Sequence, residues 1–347
     1  MLTFILISSL LGLALFLFLA WVLLIRTGLR WAKIQDVTTR RIVCTIVVLQ
    51  FAGFLAGLFF ESLFLLMDQT WFQSSLHGPG SQFVVPVFVF LFEVFVVAFA
   101  FKVTWIRGLK VWLPQLGTFP LALLLAFSFR LFLFEAFIAS GNSMAPTLLG
   151  NHLVGVCAEC GGPAYCSPGF NWDPSRPTEM ICRDNFHVAS STDYSDQAFN
   201  GDRVLAAKFL KPKRWDLVVF PAPPRYQGEE QGTPVVKRIV GLPGEEITIK
   251  GGQVFANGQV LTVPDSLRGL EYESNPPRLP GWGSPDRPAK LSDDEYYVLG
   301  DFSRRSFDSR FWQVNSNRPG RFAVAESDIK AVITHVYWPL SRWRAFK

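Results

Sequence analysis

The first 25 residues, MLTFILISSLLGLALFLFLAWVLLI, carry no charged side chain and are long enough to cross about 30 Å of hydrocarbon as a helix. A removable secretory leader needs a basic start and a small-x-small cut site before the next segment. Neither is present, so the stretch reads as a permanent anchor. The apolar character returns at residues 42–67, 83–101 and 116–134, which predicts four transmembrane helices in a membrane domain over residues 1–139. Only 18% of the chain is charged, against about 25% in an ordinary soluble protein.

The loops give an orientation. Residues 26–41 contain Arg26, Arg30, Lys33, Arg40 and Arg41, and residues 102–111 contain Lys102, Arg107 and Lys110, whereas residues 68–82 contain no Lys or Arg. The positive-inside rule then puts the first and third loops in the cytoplasm, and the N-terminus and everything after residue 139 outside it. The net charge of +5 is largely accounted for by this topology; no basic stripe interleaved with aromatics points to nucleic acid. Within the spans, Glu61 and Glu93 read as protonated or hydrogen-bonded between helices, and Cys44 as a small buried apolar residue. Arg130, near the outer end of the last span, reads as a side chain that snorkels to the interface.

The rest of the chain, residues 140–347, changes pattern. DRVLAAKF, DLVVF, VVKRIV, EITI, QVFANGQVL, EYYVLG and AVITHVYW are short β-branched runs separated by Gly, Pro and Asn-Gly turns. They predict a mostly β domain of bent antiparallel sheets, barrel-like in outline, with a tight hairpin at FANGQV. Residues 157–200 read as an insertion without a clear strand, holding Cys157, Cys160, Cys166 and Cys182. Cys157-x2-Cys160-Gly-Gly is the spacing of one zinc knuckle, with Cys182 and either Asp184 or His187 as further ligands, but Asn185 stands where a fourth thiolate would fall. Structural zinc, disulfides and a remnant that binds nothing all stay open.

Three segments carry the chemistry. SGNSMAPTLL (140–149), VVKRIVGLPGE (235–245) and LGDFSRRSFDSR (299–310) are each unremarkable alone, the first a linker, the second a strand, the third a polar turn. Together they offer a serine hydroxyl and a lysine, and a lysine desolvated among Val235, Val236, Ile239 and Val240 can lose enough of its basicity to deprotonate a serine. A Ser-His-Asp triad competes. Of the four histidines, His77 and His187 are badly placed, and His152 and His335 sit in no recognisable catalytic turn.

The stretches FRLFLFEAFIASGNSMAPTLL, GDRVLAAKF, KRWDLVVF, VKRIVGLPGEEI and GDFSRRSFDSRFW, in this order, resemble bacterial type I signal peptidases. The resemblance implies Ser143 as nucleophile, Lys237 as general base, and Ser306 as the hydroxyl that orients the lysine amine. It implies Asp308 and Arg310 as a supporting ion pair, and Met144, Leu148, Val235 and Val236 as lining of shallow pockets for small substrate side chains. Where one branch of the family has a serine donor to the oxyanion, this chain has Gly141, so the oxyanion would rest on backbone N–H groups, chiefly that of Ser143. Phe302 replaces the asparagine usual after Gly300-Asp301. The implied activity is cofactor-free removal of signal peptides from exported preproteins after small-x-small motifs, through an acyl-enzyme. The implied place is the bacterial cytoplasmic membrane, with the lipid bilayer and preproteins as partners. A self-cleaving repressor, which would need a DNA-binding domain, a non-catalytic receptor and a protease with one dedicated substrate are the competing readings.

Overall fold

The computed structural model describes residues 2–51, 84–168, 178–191, 193–222, 232–273, 281–312 and 322–346. The chain divides into two compact units, Met1–Ser128 and Phe129–Lys347.

The first unit is helical. Helix α1 covers Leu2–Trp31, α2 occupies residues 39–51, α3 is Val84–Phe101, α4 is Trp105–Trp112, and α5 (Thr118–Phe132) runs on into the second unit. Ile25 and Leu29 of α1 are buried with Ile42, Ile46, Val97 and Val111, while Leu15, Leu19 and Leu23 of the same helix are exposed. A helix apolar on its outward face as well as its inward one has the character of a lipid-facing helix. By length and composition two stretches suffice to cross a bilayer among the described residues, Leu11–Trp31 and Trp105–Phe132, not four. Of the expected span at 42–67 only residues 42–51 are described, and the expected third span at 83–101 corresponds to α3, Val84–Phe101. The last span starts earlier than its hydropathy suggests, because a 3-10 turn at Leu113–Gly117 joins α4 to α5. It also ends earlier, at Phe132, because Phe134 already belongs to a strand. Glu93 accepts a 2.8 Å hydrogen bond from the Trp112 indole, in line with the interhelical reading. Cys44 is exposed on α2, not buried, because it faces away from the Ile42/Ile46 seam. Glu61 and His77 lie outside the described residues.

In the second unit every predicted strand forms. The main sheet follows the order β1 (Phe134–Ile138), β6 (Arg203–Ala207), β15 (Ala331–Trp338), β7 (Leu217–Pro221), β8 (Pro234–Gly241), β13 (Glu295–Leu299), β14 (Val324–Ala325), with β16 (Arg344–Ala345) beside β15. All its pairings are antiparallel, and among the described residues the path is open and no barrel closes. A second sheet has the order β11 (Gln259–Val260), β10 (Gln253–Ala256), β9 (Glu246–Lys250), β12 (Ala289–Lys290). Its hairpin turns on Asn257 and Gly258, both with left-handed φ (50° and 79°), as an Asn-Gly turn requires.

The cysteine-bearing insertion departs from expectation. It holds three strands, β3 (Pro163–Cys166), β4 (Thr178–Cys182) and β5 (Val188–Ser191), which join β2 (Leu153–Val156) in a third sheet. The module therefore begins at Leu153, not Cys157. Its strands are short, and Cys157, Cys166 and Cys182 supply much of its core beside Leu153, Ala164 and Met180, so little β-branched signal marks it.

Candidate active site

Residues 139–150 form a loop pinned at its ends. The Ser140 carbonyl accepts from the Asn151 N–H (3.3 Å), and Asn142 donates to the Asn151 carbonyl (2.6 Å) and accepts from the Gly150 N–H (2.8 Å). Met144 and Leu148 point into the core beside Val204, Leu217 and Val219, where each buried side chain contributes roughly 1.5–3 kcal/mol. Ser143 sits at the start of this turn, half-buried.

Lys237 comes from β8, where it pairs with Val218 of β7. It is fully buried, and its Nζ lies 2.5 Å from Ser143 Oγ. Neighbouring residues of a strand point to opposite faces, and Arg238 accordingly turns away, its Nε and Nη2 meeting Asp301 Oδ1 and Oδ2 at 2.8 and 2.6 Å. Burial alone would make this guanidinium less basic; the Asp301 carboxylate overrides that and raises its pKa.

The third segment closes around the pair. The Phe302 N–H donates to the Ser143 carbonyl at 3.0 Å. A Cβ at Gly300 would lie 2.1 Å from Ser306 Oγ and 2.6 Å from the Ser143 carbonyl oxygen, so only glycine fits there. Ser306 is buried, and its Oγ has no hydrogen-bond partner, so the contact to the lysine amine implied by the resemblance is not formed in this structure. Asp308 and Arg310 form a buried pair, with Arg310 Nε and Nη2 each 2.8 Å from a carboxylate oxygen and the Gly300 N–H donating to Oδ2 at 3.0 Å. Burial works to raise the Asp308 pKa, but the Arg310 charge and its hydrogen bonds outweigh it and hold the carboxyl below its usual range.

His152 and His335 are engaged elsewhere. His152 Nδ1 is 2.8 Å from the Gly150 carbonyl, and burial lowers its pKa; His335 Nδ1 is 3.0 Å from Thr334 Oγ1.

A cleft of about 300 Å³ opens over Ser143. All four residues expected to contact substrate, Met144, Leu148, Val235 and Val236, line it, as do Phe137 to Gly141. Its two long walls are strand edges. Among the described residues, β1 on one side pairs with β6 alone; on the other, residues 234–237 of β8 pair with β7, while β13 joins only from Arg238 onward. Gly141 is exposed, with no atom within 4 Å of where a Cβ would stand. Among the described residues no acceptor takes the Ser143 N–H, which leaves that donor available.

Sequence reasoning names Ser143, Lys237, Ser306 and the Asp308–Arg310 pair, but it misses Gly300, the Asn142 clamp and the Arg238–Asp301 pair. Asn142 stands beside the serine in a polar turn, which was a usable signal; Asp301 is 63 positions from Arg238 and offers none.

Residues 183–338 match the family model described as signal peptidase, peptidase S26. That stretch takes in Lys237 and Ser306 and starts beyond Ser143, within the cysteine module just after Cys182. The chain is 30% identical over 231 residues to signal peptidase I P of Bacillus subtilis subsp. natto, covering 65% of this chain and 89% of the relative. It is 32% identical over 149 residues to signal peptidase I of Leptolyngbya laminosa, covering 41% of this chain and 62% of that one. A solved signal peptidase I from Enterococcus faecalis V583 matches 36% of this chain and 98% of its own at 25% identity, with a TM-score of 0.24, too loose an overlay to compare in detail.

Proposed function

Because the chain belongs to the signal peptidase I family, we propose that it removes signal peptides from exported preproteins, with Ser143 as nucleophile and Lys237 as general base. The observation that carries this reading is the 2.5 Å approach of a fully buried lysine amine to a serine hydroxyl at the floor of a cleft.

Burial penalises the ammonium form, and the neutral amine is the species that accepts the proton. As Ser143 Oγ attacks the scissile carbonyl, its proton passes to Lys237 Nζ. The oxyanion is met by the Ser143 N–H, and the protonated amine then gives its proton to the departing amino group. Water enters, loses a proton to the same amine, and hydrolyses the acyl-enzyme. No cofactor takes part in these steps. Ser306 swings to the amine in the substrate complex, and the Asp308–Arg310 pair fixes the loop that carries it.

The substrate binds as an extended strand between the free edges of β1 and β8, its main chain hydrogen-bonded to both walls. The apolar floor of Met144, Leu148, Val235 and Val236 takes small side chains at the first and third positions before the cut. The protein is membrane-bound. We place residues 1–139 in the bacterial cytoplasmic membrane as several spans and residues 140–347 on its outer side, by the distribution of Lys and Arg between the loops.

Purified protein in detergent should cut a preprotein after a small-x-small motif, and a large residue at either small position should stop it. Ser143→Ala should abolish cutting. A wild type that binds preproteins and cuts none would overturn the assignment in favour of a receptor.

A further inference from the structure

The cysteine module holds a second arrangement of reactive groups that the peptidase chemistry does not use. The β2–β3 turn carries Cys157 and Cys160, and Cys182 ends β4, opposite Ala164 in the register. The three Sγ atoms lie within 4.8 Å of one another, with Cys160 and Cys182 3.4 Å apart. A cation held tetrahedrally by thiolates at about 2.3 Å spaces them about 3.8 Å apart, which falls inside that range. The turns are built for it. Cys157 N–H donates to the Gly162 carbonyl (2.8 Å) and Gly161 N–H to the Cys157 carbonyl (2.9 Å). The N–H of Gly162 points to the Cys160 sulfur, and those of Asp184 and Asn185 to the Cys182 sulfur.

A disulfide would join two of these sulfurs and leave the third without a role; three sulfurs converging under backbone donors form a ligand set. We propose that Cys157, Cys160 and Cys182 together bind one Zn²⁺ as a structural staple. Asp184 is held by Arg183, its Oδ1 accepting from Arg183 Nε at 2.9 Å, so the ligand set is the three thiolates. His187 is drawn off to Glu159, 3.0 Å away.

What the staple holds is the back of the nucleophile's turn. Tyr165 of β3 and Ile181 of β4 pack with Ala145, Leu149 and Phe302, and Arg305 reaches Glu179 of β4 at 3.3 Å. Ala145 and Leu149 stand two and six residues after Ser143 in the same turn, and the N–H of Phe302 binds the Ser143 carbonyl. Two turns tied by metal keep β3 and β4 in register against both segments.

The test is metal content of the full chain purified in detergent without chelator, followed by cobalt(II) replacement. Wild type, Ser143→Ala and Cys166→Ser should each hold about one zinc per chain. The cobalt forms should show thiolate charge-transfer and tetrahedral d–d absorption. Cys157→Ser and Cys182→Ser should lose both, and Asp184→Ala should leave the zinc count unchanged. Stripping zinc from wild type should lower the melting temperature and slow cleavage. That last readout rests on the peptidase reading; the metal count does not, since Ser143→Ala keeps its zinc while losing cleavage. Wild-type protein with three free thiols that takes up neither zinc nor cobalt, or with a Cys160–Cys182 disulfide in its peptide map, overturns the proposal.

Discussion

Arg238 grips Asp301 through two hydrogen bonds, Nε to Oδ1 at 2.8 Å and Nη2 to Oδ2 at 2.6 Å, with 4% and 0% of the two side chains exposed. The pair ties β8, one residue after the lysine, to the loop that ends at Arg310. Removing one partner strands a buried charge, which costs about 3–5 kcal/mol. Asp301→Ala should therefore lower unfolding stability by that amount in chemical denaturation, and Arg238→Met/Asp301→Leu together should recover most of it. A loss under about 1 kcal/mol for Asp301→Ala would mean that the pair behaves as a solvated one.

Asp308 gives the fold an acid-sensitive element. Its folded pKa is depressed, mainly by Arg310 working against burial. A depressed carboxyl stabilises the fold above its unfolded pKa, about 3.9, and the contribution disappears as pH falls through the folded value. The stability gap between wild type and Asp308→Asn should be constant at neutral pH and narrow below roughly pH 4. A gap that stays constant into strong acid would contradict the assignment.

Activity should depend on pH in the opposite region. The reacting species is the neutral Lys237 amine, so kcat/KM should be low in acid and rise with pH along a limb set below the ~10.4 of free lysine. His152→Gln should leave the position of that limb unchanged. A limb that moves or vanishes in this variant would point to a histidine base.

Ser306 separates stability from chemistry. Its hydroxyl is buried without a partner in the free protein, and an unsatisfied buried group costs about 1–3 kcal/mol. Ser306→Ala should hold or raise the melting temperature while lowering kcat. Gly300→Ala, by contrast, drives a methyl into Ser306 and the Ser143 carbonyl and should damage both. Unchanged kcat in Ser306→Ala would remove the residue from the mechanism.

What the sequence disclosed follows from how locally each feature is written. The strands of the main sheet are β-branched runs cut by turn residues, and each is found where those runs lie. The burial of Lys237 is less local than its sequence neighbours suggest: Val235 and Ile239 pack in one core, Val240 in a second and Val236 against a third. The β strands of the cysteine module were not legible, since Cys157, Cys166 and Cys182 do there what valine and isoleucine do elsewhere. Arg238 with Asp301, and Phe302 with Ser143, are meetings that only the folded sheet creates. The boundaries of the last apolar helix were misjudged for a simpler reason: hydropathy continues through Phe134, although its backbone is already paired with Ala207.

The account depends most on Ser143 and Lys237 acting as one unit, and a kinetic double-mutant cycle on preprotein cleavage tests this directly. Lys237→Ala and Ser143→Ala should each lower kcat by about 10⁴-fold or more, and the double variant should be no worse than the poorer single one. Near-normal turnover in Lys237→Ala, or losses that multiply in the double variant, would contradict it.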